Sequence, residues 1–147
     1  METKSLKASS IEKDLFGVEP CGRVEVDVSE LNPKYNYWVI NAVGNCLDSD
    51  LCPIRVRDGD KILIHQIPMN EWDILNNVGD VVCFMLKSGK AYIKQLVFWD
   101  GVSWGIRVKM FVPQEIVFFV PLDKMKALFV VDKAFSPEYI KNIQGTK

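Results

Sequence analysis

The sequence is poor in the residues that metal and membrane chemistry require. It holds one histidine, His65, and four cysteines at 21, 46, 52 and 83 with no Cys-x-x-Cys pair among them. The ligand spacing of a structural zinc site is therefore missing, and neither a metal nor any other cofactor is expected. The longest nearly apolar stretches, 115–122 and 127–131, fall well short of the roughly 18 to 20 residues a membrane span needs, so no membrane association is expected. Met1 to Ser10 carries lysines but no apolar segment of signal-peptide length follows, which makes the cytoplasm the expected compartment and reduced thiols the expected state. No low-complexity block and no repeat period is present, which excludes solenoids and propellers. Eighteen Lys plus Arg against nineteen Asp plus Glu leave a formal charge of -1. With no basic run and no helix-turn-helix pattern, direct nucleic-acid binding by this chain alone is not expected.

What is present suits one small core. A length of 147 residues lets a single domain bury enough apolar surface to fold alone. Residues 1–20 are polar and mixed apart from Leu15, Phe16 and Val18 and end at Pro20; they read as a flexible arm, with the domain over 21–147. Arg23 to Val28 alternates strictly, placing Val24, Val26 and Val28 on one face of a half-buried strand. Asn36 to Val43 is aromatic and β-branched and stops at Gly44, as a buried strand entering a loop does. The loop Asn45 to Arg57 leads through the turn Asp58-Gly59-Asp60 into a strand over Lys61 to Gln66.

Asn70 followed by Glu71-Trp72-Asp73 predicts a short capped helical turn, its acids favoured by the helix dipole. The runs 80–86 and 91–98 flank Lys87-Ser88-Gly89-Lys90 as a hairpin, and a second hairpin turns at Asp100-Gly101. Strands over 104–112, 115–120 and 125–131 follow, and Ser136-Pro137-Glu138 reads as the start of a terminal helix. The pattern is mainly β, a curled antiparallel sheet or distorted barrel with one or two short helices.

Two blocks carry a resemblance. The first runs Trp38-Val39-Ile40-Asn41-Ala42-Val43-Gly44-Asn45-Cys46-Leu47 and then Val56-Arg57-Asp58-Gly59-Asp60-Lys61-Ile62-Leu63-Ile64. The second is Gly79-Asp80-Val81-Val82 with Tyr92-Ile93-Lys94-Gln95-Leu96. Together, and in this order, they resemble the C-terminal effector domain of the LexA and phage-repressor self-cleaving peptidases, related in fold to signal peptidases. The resemblance is clear over roughly 36–98 and elsewhere rests on strand rhythm. The family signature reads Gly-Asp-Ser-Met where this chain has Gly44-Asn45-Cys46-Leu47, so cysteine stands in place of the nucleophilic serine. The interval from Cys46 to Lys94 is also longer than is usual for the family.

The resemblance implies a dyad of Cys46 and Lys94. In the family a neutral lysine takes the serine proton and the serine attacks a peptide bond. With cysteine the proton arithmetic changes, since a free thiol (pKa about 8.5) is a stronger acid than a free ammonium (about 10.4), and a neighbouring pair can rest as thiolate and ammonium. If 91–98 is a strand, Lys94 shares a face with Tyr92, Leu96 and Phe98. The backbone amides after Gly44, over Asn45 to Leu47, are the candidate oxyanion donors. The family cleaves itself at Ala-Gly or Cys-Gly bonds upstream of the nucleophile, which makes Cys21-Gly22 the candidate scissile bond. The bland readings stay beside these: Cys46 as a packed hydrophobe, Lys94 as a snorkelling surface lysine and Gly22 as the start of a strand. Ser49 stands between Asp48 and Asp50, whose carboxylates oppose an alkoxide, and a lone His65 on a strand reads as structural.

Two functions follow as expectations. One is a regulatory domain of the transcription-repressor effector type that cuts itself through Cys46 and Lys94, taking its own N-terminal segment or a protein partner as peptide ligand. The other is an inactive dimerisation or binding module of the same fold. Trp104, Ile106, Phe111, Phe118, Phe119 and Phe129 exceed what one buried face needs, so a homodimer is expected.

Overall fold

The computed structural model describes residues 3–10, 23–74 and 78–136. Nine strands follow in chain order: β1 Thr3–Ser10, β2 Arg23–Asp27, β3 Tyr37–Asn41, β4 Lys61–Ile67, β5 Val81–Leu86, β6 Ala91–Asp100, β7 Gly105–Met110, β8 Ile116–Pro121 and β9 Met125–Phe135. They form one sheet in the order β2-β1-β3-β4-β9-β5-β6-β7-β8. Seven strands, β3 to β9, pair antiparallel throughout, whereas β1 joins β3 in parallel and β2 pairs antiparallel with β1. The architecture is mainly β, as the alternation predicts, but β2 and β8 remain separate edges, so the sheet does not close into a barrel.

The long apolar stretch near the C-terminus becomes β9, which lies between β4 and β5 and is covered on both faces. Ala127, Phe129 and Val131 pack with Ile40, Ile62, Ile64 and Cys83 on one side, beneath Leu47, Cys52 and Val56 of the 42–57 loop. Leu128 and Val130 pack on the other side with Phe84, Leu96, Ile106 and Val108. A strand buried on both faces needs no polar alternation, which is why 127–131 reads as a continuous apolar run. The turn at Met69–Ile74 is a short 3-10 helix, and its Trp72 closes the second cluster while donating Nε1–H to the Ile67 carbonyl at 3.0 Å.

Several local expectations change in three dimensions. Thr3–Ser10, read from sequence as part of an arm, forms β1. Val26 is buried, but the strand ends at Asp27, whose carboxylate accepts from the Ser29 amide and caps a 3-10 turn; Val28 lies in that turn and is exposed. Trp104 falls in the β6–β7 turn at positive φ. The register of β6 against β7 slips between Leu96 and Phe98, so that Leu96 faces Val108 while Phe98 faces Arg107. That bulge turns Phe98 onto the opposite face from Lys94 and Leu96, against the alternation expected for 91–98. The proposed terminal helix beyond Ser136 lies outside the described residues.

Candidate active site

The candidate nucleophile sits where two strands part company. β6 and β7 pair from Gln95 and Lys109 onward, but Phe111 does not continue the ladder toward Ile93. Its amide instead donates to the Cys46 carbonyl at 2.8 Å, and the Val112 amide donates to the same oxygen at 3.2 Å. Cys46 is thereby lodged beside β6, with Sγ 3.6 Å from the Ile93 carbonyl oxygen. Lys94, the next residue along β6, brings Nζ to 3.1 Å from Cys46 Sγ. The two residues inferred from the sequence blocks are thus in hydrogen-bonding contact across 48 positions of chain.

The loop preceding the sulfur is held by a reciprocal clasp. Gly44 adopts φ +90°, a conformation open to glycine and strained for other residues, and its amide donates to Asp58 Oδ1 at 2.8 Å. The Asp58 amide donates back to Asn45 Oδ1 at 3.1 Å. Around it, the Gly59 amide donates to the Ala42 carbonyl at 3.0 Å and the Ala42 amide to the Asp60 carbonyl at 2.8 Å. The turn Asp58-Gly59-Asp60 is therefore the frame on which Gly44-Asn45-Cys46 is hung. Sequence reasoning saw it as a turn and as part of the family signature but gave Asp58 no role. Only the fold brings its carboxylate to Gly44.

With Gly44 engaged, the amides of Asn45, Cys46 and Leu47 donate to no other described residue. Cys46 and Leu47 line a pocket of about 180 Å³ together with Gly44, Tyr92, Ile93 and Lys94. Lys94 Nζ also lies 5.7 Å from the Tyr92 ring centroid. A larger trough of about 560 Å³ shares Tyr92 and Lys94 with this pocket and is walled by Phe84, Val108, Met110 and Phe118. Both Cys46 and Lys94 are half-buried, so the contact is partly shielded from water yet open to a ligand.

The remaining candidates fall outside this pocket. Cys21 and Gly22 lie outside the described residues. Ser49 Oγ accepts from the Leu51 amide at 3.2 Å, and its neighbours Asp48 and Asp50 are both paired with Arg55. The Arg55 guanidinium, with Arg57 behind it, holds the Asp48 carboxyl below the usual range despite its partial desolvation. His65, read as a structural residue, has a partner that sequence order did not reveal: its Nδ1 is 2.6 Å from Asp132 Oδ2, between the rings of Tyr35 and Tyr37. Asp132 is the extra residue where β9 bulges against β4. Among the described residues no cluster of His, Cys, Asp or Glu is arranged to hold a metal ion, and no helix is long and apolar enough to cross a membrane.

No family model and no curated protein matches the chain.

Proposed function

We propose that the chain is a regulatory domain of the LexA and phage-repressor peptidase type in which Cys46 and Lys94 cut a peptide bond. The observation that carries this reading is the 3.1 Å contact between Lys94 Nζ and Cys46 Sγ, two residues that line one pocket. In the first step the Cys46 thiolate attacks the scissile carbonyl carbon, and the oxyanion turns toward the amides of Asn45 to Leu47. The Lys94 ammonium gives its proton to the leaving amine, which departs and leaves a thioester. Neutral Lys94 then takes a proton from water as the water attacks the thioester; the carbon–sulfur bond breaks, the acid is released, and the thiolate and ammonium are restored.

Chain connectivity supports the protein's own N-terminal segment as substrate. Ser10, the last residue of β1, is paired with Asn41, and Arg23, the first of β2, is paired with Lys7. The described residues on either side of 11–22, the stretch that includes Cys21 and Gly22, thus lie in the part of the sheet next to β3, the strand that leads into the Cys46 loop. The apolar trough beside Lys94 would seat an apolar side chain of that segment or of a protein partner.

The test is intact mass against time on purified protein from about pH 7 to about pH 10, the range over which amines and thiols titrate. Loss of an N-terminal fragment, abolished by Cys46→Ala and by Lys94→Ala, supports the reading and locates the bond. An unchanging mass in a folded sample overturns self-cleavage.

A second reading, an inactive dimerisation module, is favoured by one observation. Of the surplus aromatics, Ile106, Phe111 and Phe129 are buried within the chain, but Trp104, Phe118 and Phe119 stay exposed at or beside the edge strand β8. Edge strands with exposed apolar side chains are ready templates for pairing with another copy. Sedimentation of wild type against Phe118→Lys measures it: a dimer that the substitution dissociates supports this reading, and a monomer at all concentrations removes it.

A further inference from the structure

The loop that presents Cys46 also carries Cys52, and the described thiols differ sharply in setting. Cys83 is wholly enclosed in β5, and burial drives its thiol far above the ordinary range. Cys46 is half-exposed and lines a pocket, with Lys94 Nζ 3.1 Å from its sulfur. Cys52 is buried in the same apolar cluster that Cys46 packs on, together with Leu47 and Val56. The chain between the two cysteines is coiled back on itself: the Ser49 and Val56 amides both donate to the Leu47 carbonyl, and the Cys52 amide donates to the Ser49 carbonyl. Burial raises the Cys52 thiol, against the smaller opposing effect of a backbone hydrogen bond at Ile54, and both cysteines pack on the one apolar cluster beneath the loop.

We propose that Cys46 is a site of oxidation by hydroperoxides and that Cys52 is its resolving thiol, the two closing to a disulfide that withdraws the nucleophile. The proposal rests on the Cys46–Lys94 contact of the preceding reading but not on peptide cleavage. In the first step the Cys46 thiolate attacks one peroxide oxygen. An S–O bond forms, the O–O bond breaks, and the departing alkoxide or hydroxide takes a proton from Lys94. Cys46 is then a sulfenic acid, oxidised by two electrons, and the peroxide is reduced to an alcohol or water. In the second step the Cys52 sulfur, its proton given to the leaving hydroxide, attacks the Cys46 sulfur. The S–S bond forms, the S–O bond breaks and water leaves.

The setting of Cys52 predicts how the steps separate. Because its thiol is raised by burial, its attack is slow near neutral pH and quickens as the pH rises, so the sulfenic acid accumulates first. The same loop must give way for the sulfurs to meet. Closure would pull Cys46 from the notch beside β6 and break its contact with Lys94.

The experiment is treatment of the reduced, folded protein with equimolar hydrogen peroxide at about pH 7 and about pH 8.5, spanning the free-thiol range. Intact mass and non-reducing peptide maps are read with and without dimedone. The expected result is loss of two hydrogens, a Cys46–Cys52 cross-linked peptide formed faster at the higher pH, and Cys83 untouched. Cys52→Ser, with Cys52→Ala as a second variant against misfolding, should instead hold Cys46 as a dimedone-trapped sulfenic acid. Lys94→Met should slow the first step about tenfold. A cross-link from Cys46 to Cys21, or over-oxidation of Cys46 with no cross-link in folded wild type, overturns the proposal. A chain that forms the Cys46–Cys52 bridge yet never cuts itself removes the peptidase reading and supports this one.

Discussion

Lys94 Nζ meets Cys46 Sγ at 3.1 Å where β7, the neighbour of β6 on the side away from β5, gives out. Had β7 continued past Met110, Phe111 would have occupied the notch that Cys46 fills. Instead the Phe111 and Val112 amides turn to the Cys46 carbonyl and hold the Cys46 loop against β6. A lysine nitrogen in hydrogen-bonding contact with a thiol bears directly on the reactivity of that sulfur.

Iodoacetamide at about pH 7 should therefore alkylate Cys46 first among the described thiols, with Cys52 and Cys83 spared by burial. Lys94→Met should lower the Cys46 rate by about tenfold while leaving the thermal unfolding midpoint nearly unchanged. Stopped-time labelling with peptide mapping measures both, and equal labelling of Cys46 and Cys52 would contradict the expectation.

Asp58 is expected to act as a positioning residue for the Cys46 loop. Asp58→Ala removes the acceptor of the Gly44 amide, at a cost of about 1 kcal/mol in unfolding free energy for an exposed hydrogen bond. The loss in Cys46 alkylation rate should exceed what that loss of stability explains. Asp58→Asn keeps an acceptor oxygen and the backbone amide that reaches Asn45, so it should recover most of the rate. Denaturant unfolding beside alkylation kinetics separates the two effects.

Asp60 carries a pH signature of the opposite kind from a paired carboxylate. It is 4% exposed; the Arg57 amide donates to Oδ2 at 2.8 Å, but Oδ1 has no partner. Burial raises its carboxyl, against the smaller opposing effect of the Arg57 amide and guanidinium. A raised carboxyl favours folding while it is protonated. That contribution is complete below the unfolded-state value and is lost as the pH rises through the folded one. The stability of Asp60→Asn relative to wild type should therefore increase from about pH 3 to about pH 7, starting below the ordinary carboxylate value near 3.9. Urea denaturation at the two pH values checks the sign.

Gly105 is expected to be intolerant of a side chain. A Cβ there would lie 2.5 Å from both the Phe119 ring and the Val120 carbonyl oxygen. The ring can move, but the carbonyl belongs to the β7–β8 ladder, in which Gly105 faces Pro121. Gly105→Ala should cost about 1 to 3 kcal/mol, the usual range for overpacking, read as a lowered denaturation midpoint. An unchanged midpoint would mean that β8 is free to shift.

The strands other than β1, the Gly44 and Asp58-Gly59-Asp60 turns and the 3-10 turn near Trp72 were legible in the sequence. Each is set by periodicity or backbone preference over a few adjacent residues, and such preferences act locally. The Cys46 and Lys94 pairing was legible only through the order of two sequence blocks, since nothing local relates residues 48 positions apart. Tertiary structure decided the rest. A one-residue slip at Leu96 and Phe98 reverses every side chain beyond it, so the face of Phe98 depended on pairing with β7. The bulge that aims Asp132 at His65 and the clasp of Asp58 on Gly44 likewise arise where separate segments meet. Hydrogen bonds between such segments depend on register, and register is fixed by how the whole sheet packs.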